Sequence, residues 1–285
     1  ERPDTLAERT YAVWPDLEAL MRTHGVPQFT VDAHRAVGDF DVFGLSFSTE
    51  LGYTNMLTAI DLAGIPLHAT DRGDDHPVVI AGGHAAFNPE PIARFIDAAV
   101  LGDGEQAALD ITDCIAAFKS QDSPGGREAL LSRLAEIEGV YVPAFYDVDY
   151  LPDGRIHRVV PNRAEAPWRI AKRTVMDLDE WPYPKAPLVP LAETVHERSS
   201  VEIFRGCTRG CRFCQAGMIT RPVRERSIET VGQIVANGLA VTGFDEVGLL
   251  SLSSADHSEI APIAKQLADR YESRDVGHDA GSEWS

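Results

Sequence analysis

Three cysteines, Cys207, Cys211 and Cys214, crowd into one short stretch of a 285-residue chain. The segment reads Arg205-Gly206-Cys207-Thr208-Arg209-Gly210-Cys211-Arg212-Phe213-Cys214-Gln215-Ala216-Gly217, a C-x3-C-x2-C spacing. Three thiolates on one loop can hold three corners of a cubane iron–sulfur cluster. The small residues Gly206, Thr208 and Gly210 let such a loop wrap a bulky inorganic group. No fourth cysteine lies nearby, since Cys114 is remote in sequence, so one iron would keep an open position. The rival reading is a structural zinc site. Zinc takes four closed ligands, and His196 or His257 would supply the fourth. Four cysteines are too few for a disulfide framework. Their crowding in a reducing compartment points to metal.

The elements that position this loop follow from periodicity. Leu17, Leu20 and Met21 fall on one helical face, with Pro15 near the start and Gly25 near the end. Asp41–Ser48 is a short apolar run suited to a buried strand, and Tyr53–Ala63 reads as a helix closed by Gly64. Ile65–Leu67 reads as extended. Pro77–Gly83 and Asp97–Glu105 read as strands ending in glycines, and Pro91–Phe95 starts a short helix. Helices over Gln106–Phe118 and Arg127–Glu136 follow. Alternating helices and strands that are apolar on both faces predict a parallel, doubly wound sheet. Such sheets bind ligands at the carboxyl ends of their strands, where Ser46, Gly82, Gly83, His84, Gly102, Gly104 and Glu105 fall. The same glycines also suit ordinary strand-to-helix turns. Cys114 lies on a helix beside Ile111 and Ile115 and reads as a core residue.

Further on, Val140–Val148 and Ile156–Val160 flank Pro152-Asp153-Gly154, a hairpin turn signal. Residues 161–198 hold six prolines and read as an extended connector. Ser200–Phe204 is a predicted strand, Ile228–Thr242 a helix, Glu246–Leu252 a strand and Pro262–Tyr271 a helix. From Glu272 onward no apolar pattern is visible. The predicted domains are therefore 1–138, a connector over 139–198, and 199–285. Ser253, Ser254 and Asp256 sit at the end of the last strand, where they can meet a ligand or cap a helix. Arg205, Arg209, Arg212, Arg221, Arg224 and Arg226 cluster around the cysteines with one acid, Glu225. That cluster is either a field that balances an anionic group or a solvated arginine-rich loop.

With these residues in view, the chain resembles the radical S-adenosylmethionine (SAM) superfamily. That family places C-x3-C-x-aromatic-C after the first strand of a partial β/α barrel, and Phe213 supplies the aromatic. The resemblance implies a [4Fe-4S] cluster on Cys207, Cys211 and Cys214, with SAM chelating the unique iron. It implies reductive cleavage of SAM to a 5′-deoxyadenosyl radical, with an electron donor such as flavodoxin or ferredoxin. The backbone around Phe213 would touch the adenine, and Ser253, Ser254 and Asp256 the SAM amine. Asp41–Glu50, Val78–Asn88 and Val100–Glu105 resemble the cobalamin-binding-like domain that precedes the barrel in one branch, the B12-binding radical SAM proteins. Cobalamin is thus a further cofactor the resemblance admits. The D-x-H-x-x-G pattern for a lower cobalt ligand is missing. Asp32-Ala33-His34 approaches it, but Val37 stands at the glycine position. The alternative is a corrinoid- or nucleotide-binding module with a non-catalytic or zinc-bound cysteine site. Methyl transfer, ring rearrangement and methylthiolation all stay open as outcomes, and the substrate is unassigned.

The net charge of −18 argues against general binding to nucleic acid or anionic membrane. No apolar run approaches the roughly 20 residues of a membrane helix, and no leader pattern is visible, so a cytoplasmic location is expected. The chain starts at Glu1 and ends at Ser285 without a structural stop, and both ends read as cut. Residues 199–285 are too few for the family's barrel, since a full eight-unit barrel takes about 250 residues. A fragment, or the product of a shifted reading frame, is expected, with poor solubility or a disordered C-terminus.

Overall fold

A computed structural model describes residues 3–121, 125–192 and 194–271, and the backbone of 277–279. The expected disorder after Tyr271 falls largely on residues outside the described ones. The chain divides into two compact units, Glu1–Thr174 and Val175–Ser285. Among the described residues no helix is long and apolar enough to cross a membrane.

The first unit opens with helix α1 (Pro15–His24), which has proline in its first turn and Gly25 closing it in a left-handed conformation. Strands β1 (Val42–Ser46), β2 (Val78–Gly82) and β3 (Ala98–Val100) follow, with helix α2 (Tyr53–Leu62) between the first two. Helices α3 (Gly104–Ser120) and α4 (Gly126–Ala135) precede β4 (Val140–Tyr141). The sheet order is β1-β2-β3-β4. The first three strands run parallel, with Val42 opposite Val78 and Ile80 opposite Ala98. Strand β4 is antiparallel to β3. The stretch expected as one strand over Val140–Val148 is therefore split. A 3-10 turn at Pro143–Phe145 separates β4 from β5 (Tyr146–Tyr150), and β5 pairs with β6 (Ile156–Pro161) as the expected hairpin. The expected helix at Pro91–Phe95 is a 3-10 turn, Glu90–Ile92.

Both sheet faces are covered. Val79 and Ala81 join a core with Met56, Ala59 and Ile60 of α2, while Val78 and Ile80 join Ile111, Ile115, Leu130 and Leu134 of α3 and α4. Burying each Val, Leu, Ile or Met side chain among these contributes about 1.5–3 kcal/mol. This is the two-faced burial expected of a doubly wound sheet, but the strand order runs in one direction. The reversal that opens a switch-point crevice is absent from the described sheet.

A buried ion cluster fixes the amino-terminal side of this sheet. Asp97 Oδ2 accepts from Arg72 at 2.8 Å, from Arg127 at 2.8 Å and from the Val79 backbone N–H at 2.7 Å. Burial lowers the Arg72 pKa, and Asp97 opposes that shift.

The second unit holds β7 (Ser199–Glu202), β8 (Phe204–Arg205), α5 (Ala216–Ile219), β9 (Arg224–Glu225), α6 (Ile228–Thr242), β10 (Glu246–Leu250), α7 (Ile260–Tyr271) and β11 (Gly277–Asp279). The expected strand Ser200–Phe204 is broken at Ile203, and β8 pairs antiparallel with β9. Strand β10 runs parallel to both β7 and β11 in the order β11-β10-β7, so a third strand lies beyond the point where the sequence pattern stops. Ser227 caps α6 by accepting from the Thr230 N–H. Val231, Val235, Ile263 and Leu267 pack on Val201 and Leu249, which places α6 and α7 against one sheet face.

Replacing Asp97 by Ala leaves two buried guanidinium groups without their countercharge. The expected loss is about 3–5 kcal/mol of unfolding free energy in the first unit, read from denaturant curves.

Candidate functional site

Parallel pairing of β7 and β10 sets Leu250 opposite Glu202, so the chain leaves both strands at the same edge. The cysteine loop follows β7 and β8, and the turn Ser251–Asp256 follows β10. These two segments meet there. Arg209 Nε donates to Asp256 Oδ2 at 2.6 Å, and its terminal amine donates to Oδ1 of the same carboxylate. Hydrogen bonding to Arg209 holds the Asp256 carboxyl below the usual carboxylate range, with Ser253 adding to the effect. Asp256 in turn raises the Arg209 guanidinium.

The loop is braced at its base as well. Gly206 has φ +87, and a Cβ there would lie 2.5 Å from the Pro222 carbonyl oxygen, so only glycine lets the two backbones approach. Arg221 Nε donates to the Cys207 carbonyl at 3.2 Å. Cys214 N–H donates to the Cys211 carbonyl at 3.1 Å and closes a turn. Two backbone N–H groups face sulfur: Arg209 N to Cys207 Sγ at 3.5 Å and Gly217 N to Cys214 Sγ at 3.3 Å. A Cβ built on Gly217 would meet both Cys207 Cβ and Cys214 Sγ at 3.6 Å, so the missing side chain leaves room between two of the cysteines. These features fit a bulky, anionic, sulfur-bound group. Cys207 is buried, Cys214 half-buried and Cys211 exposed.

A single closed ion fits less well. Among the described residues no group of three or more His, Cys, Asp or Glu side chains, the three cysteines included, converges as ligands of one metal ion, so it is His257 that speaks against zinc. His257 is buried with both ring nitrogens engaged. Its Nδ1 accepts from Glu259 N–H at 3.0 Å, which leaves Nε2 to donate to the Arg226 carbonyl at 3.3 Å. A tetrahedral zinc site would have to break one of these bonds.

The other predicted residues of this unit separate by role. Phe213 is 92% exposed. Ser253 Oγ donates to Asp256 at 2.8 Å. Ser254 is only 3% exposed and its hydroxyl bonds the Leu249 carbonyl at 3.1 Å, which closes the strand end. The arginine cluster is mostly absorbed by the fold. Arg224 donates to the Val175, Thr220 and Pro222 carbonyls, and Arg226 to the Leu178 carbonyl and Glu202. Arg205 pairs with Glu202 at 2.8 Å.

In the first unit, Ser46 and Gly82 are paired at the carboxyl edge of β1 and β2, followed by Gly83 and an exposed His84. Gly102, Gly104 and Glu105 lie past β3 and in the first turn of α3. Two of these glycines are explained by backbone contacts within the chain. A Cβ on Gly83 would lie 2.3 Å from the Phe47 carbonyl oxygen, and one on Gly102 would lie 2.0 Å from that of Arg173. Gly82 and Gly104 face open space. Asp32 is engaged by Arg9, and the His34 ring lies 6.0 Å from Phe29. Cys114 packs against the α3–α4 core, and burial pushes its thiol pKa up against a smaller opposing effect of Arg133.

The sequence shows Gly217 and Arg221 beside the cysteines but not their contacts with Cys207 and Cys214, nor the pairing of Arg209 with Asp256. Arg209 and Asp256 were both visible as residues, but nothing local links positions 47 apart.

The family described as "Radical SAM proteins, N-terminal" matches residues 1–143, just over half of the chain. The uncharacterized protein MJ0966 of Methanocaldococcus jannaschii is 23% identical over 252 residues, covering 87% of this chain and 46% of its own length. The chain thus spans about half the length of this curated relative. Two solved structures of the radical S-adenosylmethionine methyltransferase TsrM from Kitasatospora setae are similar at a TM-score of 0.46. One, with tryptophan substrate and the SAM analogue aza-SAM bound, is 13% identical and aligns over 91% of this chain and 44% of its own. The other, with cobalamin and a [4Fe-4S] cluster bound, is 12% identical and aligns over 91% and 45%.

Two outcomes follow from this geometry. Gly102→Ala should destabilise the first unit by at least about 2 kcal/mol, because φ is positive and the Arg173 backbone blocks a side chain. In metal-free protein, iodoacetamide should label Cys211 about tenfold faster than Cys114, as followed by peptide mass spectrometry.

Proposed function

This chain belongs to the radical SAM proteins through the family of their N-terminal region, and on that premise we propose that Cys207, Cys211 and Cys214 hold a [4Fe-4S] cluster used for SAM cleavage. Cys207, Cys211 and Cys214 would hold the cluster through three thiolates, and once reduced by a flavodoxin- or ferredoxin-type donor it would supply one electron for reductive SAM cleavage. The chain's own residues bind and orient. The Arg209 and Gly217 N–H groups donate to two of the sulfurs and spread thiolate charge. Gly217 keeps a side chain out of the gap between Cys207 and Cys214. Ser253 and Asp256 offer oxygen acceptors to the SAM amine on the edge that carries the cysteines, and the segment around the exposed Phe213 meets the adenine.

In the first unit we assign the carboxyl edge of the sheet, at Ser46, Gly82, His84, Gly104 and Glu105, as the seat of a corrinoid. Gly82 and Gly104 support this by leaving that edge open. Gly83 and Gly102 serve the chain's own packing.

The observation that carries the main reading is the C-x3-C-x2-C loop, braced beside the turn after β10, with two N–H groups aimed at its sulfurs. Anaerobic reconstitution of the full chain tests it. The expected result is about four irons per chain with matching acid-labile sulfide, and 5′-deoxyadenosine on reduction with SAM. Changing any one of Cys207, Cys211 or Cys214 to Ala should abolish stable loading. Colourless, iron-free protein, or stoichiometric zinc in its place, would refute the assignment.

A further inference from the structure

The cysteine loop is held at its two ends by its own neighbourhood, through Gly206 and Arg221 near Cys207 and through the turn Cys211–Cys214. The arc from Thr208 to Cys211 between them carries no regular structure. Arg209 projects from this arc and grips Asp256 with two nitrogens on two oxygens. Asp256 stands on a fixed base. Its N–H donates to the Ser253 carbonyl at 2.8 Å, Ser253 N–H donates to Ser251 Oγ at 3.2 Å, and buried Ser254 ties the turn to the Leu249 carbonyl. Ser253 Oγ adds a third bond to the same carboxylate. An irregular arc is therefore bound to a rigid turn by a planar, two-point ion pair. This is the geometry in which a surface pair contributes measurably.

We propose that Arg209 and Asp256 form a latch that positions the C-x3-C arc, so that Cys207 and Cys211 are presented together before any metal arrives. In the metal-free, SAM-free chain both act as positioning residues, apart from the contact with SAM proposed above for Asp256. This inference rests on the cluster reading for its purpose, but the latch itself is a property of the metal-free chain. Its physical logic is entropic. Two thiols at the ends of a free arc must be ordered at the moment of loading, whereas a latched arc is ordered beforehand.

The test uses the full chain without metal and follows tryptic cleavage after Arg212 by mass spectrometry. Cleavage after buried Arg226 serves as the reference for unfolding. Asp256→Asn should speed cleavage after Arg212 about fivefold with the reference unchanged. Arg209→Gln removes the same bonds from the loop side and should do likewise. The double exchange R209D/D256R restores an ion pair of reversed polarity and should return the rate to within about twofold of the original. Unchanged cleavage in both single variants, or a double exchange no slower than Asp256→Asn, overturns the latch. Iron uptake under limiting iron and sulfide is measured in parallel, and Asp256→Asn should fill more slowly than the unaltered chain. If the unaltered chain takes no iron while the cleavage pattern holds, the cluster reading fails and the latch stands. If it fills while the pattern is absent, the latch fails and the cluster reading stands.

Discussion

Parallel pairing of β7 with β10 is the constraint on which the cysteine site depends. Parallel strands end at a common edge, whereas an antiparallel pair would send one exit to the far side. The register that sets Leu250 opposite Glu202 therefore brings the loop after β8 and the turn after β10 to one place. The helices α6 and α7 bury Val201, Val247 and Leu249 and hold that register, because a one-residue slip would turn these side chains away from the core. Everything at the edge, including the arginine–aspartate pair, inherits its position from this packing.

The arginines around the cysteines show how one composition divides into two jobs. Arg224 and Arg226 are buried and spend their donors on carbonyls at Val175, Leu178 and Thr220. A coil segment such as the one around Val175 has few backbone partners of its own, and a planar guanidinium with five donors satisfies several carbonyls at once. Arg209 is mostly exposed and carries its charge beside the thiols. The local excess of positive charge is real, yet much of it serves architecture.

A similar division applies to the glycines of the first unit. Strand-to-helix turns rich in glycine suggest a ligand that needs close backbone approach, and the carboxyl edge of a parallel sheet is where such ligands bind. At Gly83 and Gly102 the approaching group is the chain itself, at Phe47 and Arg173. Arg173 reaches Gly102 as an isolated parallel bridge, so a connector residue extends the edge of β3. Gly82 and Gly104 lack such contacts, which leaves them as the positions open to an external group.

Sequence alone determined what is encoded within a few residues: the cysteine spacing, the helix over Ile228–Thr242, and the apolar runs of β1 and β2. Each rests on spacing or periodicity, and these act over one or two turns of chain. Only the tertiary structure decided which charges meet. Asp97 gathers Arg72 and Arg127 across 25 and 30 residues, and Asp256 takes Arg209 across 47. It also decided that β4 turns antiparallel, that the order of the described β1–β4 sheet does not reverse, and that β11 adds a strand past the last apolar pattern. The physical reason is common to all of these. A partner chosen by strand register and helix packing leaves no mark in the local alternation of residues, because any nearby opposite charge or apolar strand would satisfy that alternation equally well.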